Sequence, residues 1–264
     1  SVGEINTDVT AKFKVNNRLS SLLGVNYFNY RQPRDINNDN FTDVTLQNRV
    51  SVFNKWNFRH KNELSSSLAF RYVNENRWGG ELQWRPMYKG TNIVYGESIN
   101  TNRAEMIGTF SLSKNLTTDV SYNYHLQDSY YGEIKYYASQ QVAFTQLRLN
   151  KVWGKHDVLM GLPFRYTFYD DNSPATARIN GDNKPAHSFL PGIFVQDQFT
   201  LSNKLTTLAG LRYDYNNEHG SIITPRLSFK FSPDKNNTFR LSGGNGFRVV
   251  NLFTEDHAAL TGAR

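Results

Sequence analysis

Asp35, Asn37, Asp39 and Asp43 fall at positions one, three, five and nine of the stretch DINNDNFTD, and the carbonyl of Phe41 falls at seven. Calcium is a hard cation that takes oxygen ligands at about 2.3–2.6 Å, and calcium-binding loops use this spacing. Asn40 stands where such loops want glycine, and asparagine tolerates the left-handed backbone. Leu46 occupies the place of the bidentate glutamate, so the stretch is not an EF-hand. The metal reading is calcium at Asp35, Asn37, Asp39, Phe41 and Asp43. The plain alternative is a solvated Asn/Asp loop neutralised by Arg31 and Arg34, and residue types alone leave both open.

A second group is aromatic and basic. Residues 76–100 hold Trp78, Trp84, Tyr88 and Tyr95 together with Arg77, Arg85 and Lys89. Aromatic surface with arginine in a connecting segment is how proteins hold ligands of mixed character. The candidate ligand-binding set is Trp78, Trp84, Arg85 and Tyr88, joined by Tyr130 and His187 from neighbouring connections. Packing of these rings against adjacent loops is the competing account. A third group is catalytic in type: His125, His187, His219 and His257, with Asp182 before His187 and Asp256 beside His257. Neither G-x-S-x-G nor H-E-x-x-H occurs, so only an Asp/His site at a rim would serve an enzyme reading.

These residues need a scaffold, and composition narrows the choice. The chain has 264 residues, a mean hydropathy of −0.60 and 38% hydrophobic residues, yet 14% are aromatic. Polar on average but aromatic in stripes suits a sheet with water on one face. No apolar run approaches the ~20 residues of a membrane-spanning helix, whereas tilted strands cross with ~10 alternating residues. Cysteine is absent, which removes disulfides and thiolate ligation. The net charge of +7 is spread along the chain, which favours anions in loops and lumen over nucleic acid. The opening SVGEINTDV has no charged-then-apolar leader, so a mature chain or an internal piece is expected.

Alternation supplies the fold. Strands are expected near 7–15, 19–30, 45–58, 63–73, 103–112, 116–127, 140–151, 156–169, 188–201, 204–216, 223–231 and 238–247. Leu205, Thr207, Ala209, Leu211 and Tyr213 alternate with Thr206, Gly210, Arg212 and Asp214, and Val158 to Phe168 gives the longest apolar stripe. Period two with opposite polarity on the two faces marks a strand between different media. Tyr27, Trp56, Tyr72, Trp153, Tyr213 and Tyr215 gather near strand ends, as interfacial girdles require. Short Asn/Gly/Ser/Pro turns alternate with mostly longer connections at 31–44, 74–102, 128–139, 170–187 and 217–222. Outer-membrane barrels alternate in this way. Asp197 breaks its apolar face, and 140–151 has no clear lipid side. The fold class is an all-β, antiparallel transmembrane β-barrel with about 12 strands present.

Three stretches carry a resemblance: GIFVQDQFTLSNKLTTLAGLRYDY (192–215), ITPRLSFKF (223–231) and GNGFRVVNLFTEDHAALTGAR (244–264). They resemble TonB-dependent outer-membrane receptors, particularly the Bacteroidetes type, and DINNDNFTDV and RWGGELQW are similar to that family's earlier barrel. The resemblance implies a barrel of about 22 strands around a plug. It implies a location in the Gram-negative outer membrane. The partners it implies are the rest of the receptor, the TonB complex, lipid and lipopolysaccharide, and a small-molecule ligand (siderophore, haem or cobalamin). No plug-like region and only about half the strands are present, so the expectation is a middle segment of the barrel without plug or C-terminal strands. A complete passive pore of about 12 strands is the alternative, and a rim enzyme the weaker one.

Overall fold

The computed structural model describes residues 3–60, 62 and 64–249. Twelve strands follow in order: β1 (Glu4–Lys14), β2 (Leu19–Tyr30), β3 (Leu46–Arg59), β4 (Ser65–Gly80), β5 (Gly96–Ser111), β6 (Leu116–Tyr131), β7 (Ile134–Trp153), β8 (His156–Asp171), β9 (Ala186–Ser202), β10 (Leu205–Asn216), β11 (Gly220–Phe231) and β12 (Phe239–Gly244). Each pairs antiparallel with the next in one sheet, so every neighbour in space is a neighbour in sequence. Among the described residues β1 and β12 share no ladder. A closed twelve-stranded pore needs that ladder. No helix among the described residues is long and apolar enough to cross a membrane.

The two faces differ as the alternation predicts. Partners across an antiparallel ladder share a face. Val25 sits between Val9 and Val52, Leu211 between Val195 and Pro225, and Tyr213 between Ile193 and Ile223. Leu211 is 51% exposed, and Phe164, Tyr122 and Ile193 are exposed on the same face. A continuous apolar surface of this extent is foreign to a monomer in water and is what a barrel presents to lipid. The other face carries the charge. Arg148 of β7 reaches Asp119 of β6 at 2.7 Å.

Both untidy segments resolve. Asp197 bonds His156 at 2.6 Å, and that imidazole stacks on Phe199 at 4.5 Å, beside the Gly154-Lys155 turn. The acid therefore sits paired at the short-turn rim. In β7, Leu147 and Leu149 share the outer face with Leu162 and Met160, while Arg148 points to the other side.

The strands run further than expected at the opposite rim. The expected 74–102 connection shrinks to 81–95, and the expected 128–139 loop does not exist: β6 and β7 meet across Gly132 and Glu133 alone. The strict short-and-long alternation of connections fails there. The reason lies in polar cross-strand pairs that continue the ladder without an apolar stripe. Asn74 and the hydroxyl of Tyr72 on β4 donate to Asn102 on β5, each at 2.9 Å, and Asn100 on β5 donates back to Asn76 on β4 at 2.5 Å. Amide pairs of this kind replace hydrophobic pairing once the strand has left lipid. A buried cluster of Tyr131, Tyr136, Ala138 and Tyr169 also lies at this end.

Candidate functional site

At the long-loop rim the connections 31–45 and 81–95 interlock. The Thr42 amide donates to the Gly80 carbonyl at 2.9 Å, and the Gly80 amide donates to the Thr42 hydroxyl at 3.0 Å. The Leu82 amide donates to Asn40 at 2.9 Å, and the Asn40 and Gln83 side-chain amides pair at 3.1 and 2.8 Å. Phe41 forms a bridge with Glu81, and its ring lies 6.3 Å from that of Tyr95. The metal candidates and the aromatic loop thus form one unit.

Trp84 is 8% exposed, and its indole lies flat on Gly96, at the position a Cβ there would need. Trp84 therefore packs the loop as well as lining its cleft. Beneath it opens a cleft of 650 Å³ lined by Trp78, Trp84 and Arg85 together with Arg31, Arg77 and Lys89. The guanidinium of Arg85 donates to the carbonyls of Leu82 and Trp84 at 3.1 and 2.7 Å, which holds its charge at the mouth. Among the described residues Glu81 is the one acid in this lining, so the cleft is cationic and aromatic.

The remaining candidates are placed unevenly. Trp78 belongs to β4 and Tyr130 to β6, not to loops. Tyr88 closes a short 3-10 turn, Pro86–Tyr88. Lys89 lies 4.8 Å over the Tyr130 ring, which ties β6 to the same loop. His187 is separate: it sits on β9, five strands from β4, on the outer face, bonded to the Tyr166 hydroxyl at 2.9 Å and edge-on to Phe168. The ring joins the aromatic girdle because Tyr166 and Phe168 share its face, a fact that only register supplies.

The Asp35 loop is closed by its own amides. Asp35 accepts from the amides of Asn38 and Asn40 at 2.7 and 2.9 Å, Asp39 from Phe41 at 2.8 Å, and Asp43 from Ile36 at 2.5 Å. Asn40 has φ 70°, the left-handed backbone expected of it, and Asn38 has φ 62°. Among the described residues no three carboxylate or imidazole side chains converge as a metal site. In this geometry the carboxylates of Asp35, Asp39 and Asp43 each accept from a backbone amide of the loop.

The histidines do not gather either. His125 lies on β6, His187 on β9 and His219 between β10 and β11. His187 takes Tyr166 as partner while Asp182 bonds Asn180 at 2.7 Å. Asp256 and His257 lie outside the described residues, as does the resemblance stretch beyond residue 249.

Sequence reasoning missed a network on the inner face. Glu75 is held by Arg77 at 2.7 Å, Gln47 at 2.6 Å and Arg49 at 3.8 Å. Glu105 is held by Arg103 at 2.8 Å, Asn123 at 3.1 Å and Arg71 at 3.7 Å. The charges at alternate positions 71, 75 and 77 and at 103 and 105 were the available signal; their pairing across strands needed the register.

A sheet with an exposed apolar outer face, an ion-paired inner face and interlocked loops at one rim is the wall of an outer-membrane β-barrel. Residues 8–257 match the family model described as TonB dependent receptor-like, beta-barrel, and the chain belongs to that family. No curated protein matches the sequence. Among solved structures, the siderophore receptor PirA from Pseudomonas aeruginosa aligns over 95% of this chain and 40% of its own, with a TM-score of 0.64 and 10% identity. A ferric enterobactin receptor mutant from Pseudomonas aeruginosa (PfeA) in complex with enterobactin aligns over 95% and 42%, with a TM-score of 0.66 and 13% identity. The siderophore receptor PiuA from Acinetobacter baumannii covers 90% and 48%, with a TM-score of 0.62 and 10% identity. The chain spans 40–48% of the length of these structures, and the likeness is one of fold.

Proposed function

We propose that this chain is a barrel segment of an outer-membrane receptor that binds and imports a metal chelate with energy from TonB. The observation that carries the reading is the cationic, aromatic cleft of Trp78, Trp84 and Arg85 at the long-loop rim of a lipid-facing wall. The ligand class this supports is an anionic chelate with flat organic surface; the solved structures of like fold, named for siderophores, favour iron over cobalamin. The segment's own residues hold and orient such a ligand and perform no covalent step. The rest of the receptor, including a plug, and the TonB complex complete the machine. The outer face meets lipid and lipopolysaccharide of the Gram-negative outer membrane.

The test is uptake of labelled ferric enterobactin and haem by cells carrying the full-length receptor. Uptake of one chelate that requires TonB and weakens about tenfold on Arg85→Gln supports the reading; a tenfold change is ~1.4 kcal/mol. Passage of small solutes without TonB favours the pore.

Calcium at Asp35, Asn37, Asp39, Phe41 and Asp43 is a second reading, favoured by the left-handed Asn40 at the loop's sixth position. Each carboxylate has more lone pairs than the amides use, so an ion could be held with the amide bonds in place. Calorimetry on the full-length receptor decides it: calcium heat that vanishes in Asp39→Ala supports the site, and none at millimolar calcium leaves the loop closed by its amides.

A further inference from the structure

We infer that the outer face beside the short turns of β6–β10 holds one anionic phospholipid, its acyl chain in an apolar groove and its phosphate on Lys151 and Lys155. The inference rests on the outer-membrane reading of the wall and adds to it a lipid partner of defined chemistry. A groove of 480 Å³ is lined there by Leu116, Leu147, Leu149, Met160, Val195 and Leu211 among others. No charged side chain lines it among the described residues. The ladders explain its continuity. Leu116 faces Leu149, Leu149 faces Met160, Met160 faces Val195 and Val195 faces Leu211, so one rung across five strands is apolar throughout.

Toward the turns the groove ends in positive charge. Lys151 follows Leu149 by two residues on the same face of β7, about 7 Å nearer the turn. Its ammonium lies 5.4 Å over the Trp153 ring. Trp153 is exposed and continues that face, where an indole marks the boundary between acyl chains and headgroups. Lys155 stands in the two-residue turn itself, and Lys114 in the neighbouring turn before Leu116. Asp197, on the same face opposite Val158, is bonded to His156 at 2.6 Å. The other turns of this rim repeat the sign. Arg18, Lys204 and Lys235 stand in them, and Asp234, the one acid among their described residues, accepts from the amides of Asn236 and Asn237 at 2.8 and 2.9 Å.

In a bilayer an acyl chain gains no hydrophobic energy by entering a groove, so packing and headgroup charge select the occupant. The short turns of such barrels face the periplasm, which puts this rim in the phospholipid leaflet and away from lipopolysaccharide. A long lysine stem lets the ammonium reach headgroup level from a lipid-facing position, and basic sites there attract anionic headgroups. A zwitterionic lipid offers the same chain without the net charge. Groove and lysines together therefore favour a lipid of phosphatidylglycerol's chemistry.

The test uses the full-length receptor reconstituted in vesicles of phosphatidylethanolamine and phosphatidylglycerol in equal amounts. Mild detergent extraction follows, and mass spectrometry counts the lipids that stay bound. Retention should favour phosphatidylglycerol about fivefold, the effect of one well-placed lysine. Lys151→Gln/Lys155→Gln should remove the preference. Leu149→Trp, which fills the groove, should lower retention of both lipids, with barrel assembly checked by heat-dependent gel mobility. Extraction in about 1 M salt should erode the preference of the native receptor, which decides the matter even where a variant fails to assemble. Equal retention of the two lipids overturns the inference, as does a preference that survives the double substitution or the salt. Loss of the preference to inorganic phosphate, with Leu149→Trp having no effect, assigns the lysines to a small anion and overturns it too. A receptor that selects the lipid yet imports no chelate keeps this site and removes the proposed cargo. One that imports a chelate without selecting the lipid removes this site alone.

Discussion

Arg212 and Asp214, two residues apart on β10, form a two-pronged ion pair: Nε donates to one carboxylate oxygen at 2.6 Å and a terminal nitrogen to the other at 2.7 Å. Asp214 is 0% exposed, set against the bare Cα of Gly192 where any Cβ would collide with its carboxylate. Alternation places both side chains on the inner face, and Gly192 makes the room. Arg212 itself is 36% exposed, so removing it, which strands a buried Asp214, should cost more than removing Asp214, which leaves a guanidinium that water can reach. Asp214→Ala and Arg212→Ala should each lower the urea midpoint of the full-length receptor, and the double substitution should recover part of the loss. Additive losses would mean that the pair contributes nothing as a pair. Arg212 is therefore expected to be a sensitive inner-face position.

The faces predict opposite responses to charge. Leu211→Arg places a guanidinium on the lipid side and should destabilise by roughly 2–4 kcal/mol near mid-bilayer. Lys230→Gln, on the inner face of β11 opposite Thr206, should change little. Equal sensitivity at the two sites in a refolding titration would remove the membrane wall.

Acid should loosen the upper end of β8. Tyr169 donates to Asp171 at 2.5 Å, and Ser173 and Thr176 add their own hydrogen bonds. Burial by itself would raise the Asp171 carboxyl, but these bonds outweigh it and hold the group below its ordinary value. A carboxyl depressed in the fold adds stability above its unfolded pKa of about 3.9 and loses it as pH falls through the folded value. Hydrogen exchange in the 172–185 connection should rise below about pH 4 in the native chain. Asp171→Asn should already exchange fast at pH 7 and show no further acid step.

The rim cleft should depend on a missing methyl. Gly96→Ala puts a Cβ into the Trp84 indole, and Trp84 is buried and cannot swing aside freely. Overpacking of this kind costs about 1–3 kcal/mol. Limited proteolysis should cut the 81–95 connection faster, and chelate binding should weaken with it. Gly243→Ala, whose Cβ meets open space, is the control.

Alternation alone marked the twelve strands and, in most of them, the apolar face, because period two couples position to medium along each strand separately. The stripe Val158 to Phe168 needed no partner to be read. It also yielded the aromatic and basic residues of the rim loop, since residue type and connection length are local properties. Register and strand length were beyond its reach. Polar strand ends such as Asn74, Asn76, Asn100 and Asn102 look like loop until they are seen pairing across the ladder. His187 looked like a loop residue until register set it on β9, with Tyr166 and Phe168 beside it. The carboxylates of Asp35, Asp39 and Asp43 have one spacing and two uses, toward an ion or toward their own amides; the spacing did not show the amide bonds, which depend on how the loop turns in three dimensions. The Glu75 and Glu105 networks depend on residues from three strands each, so only the assembled sheet brings them together.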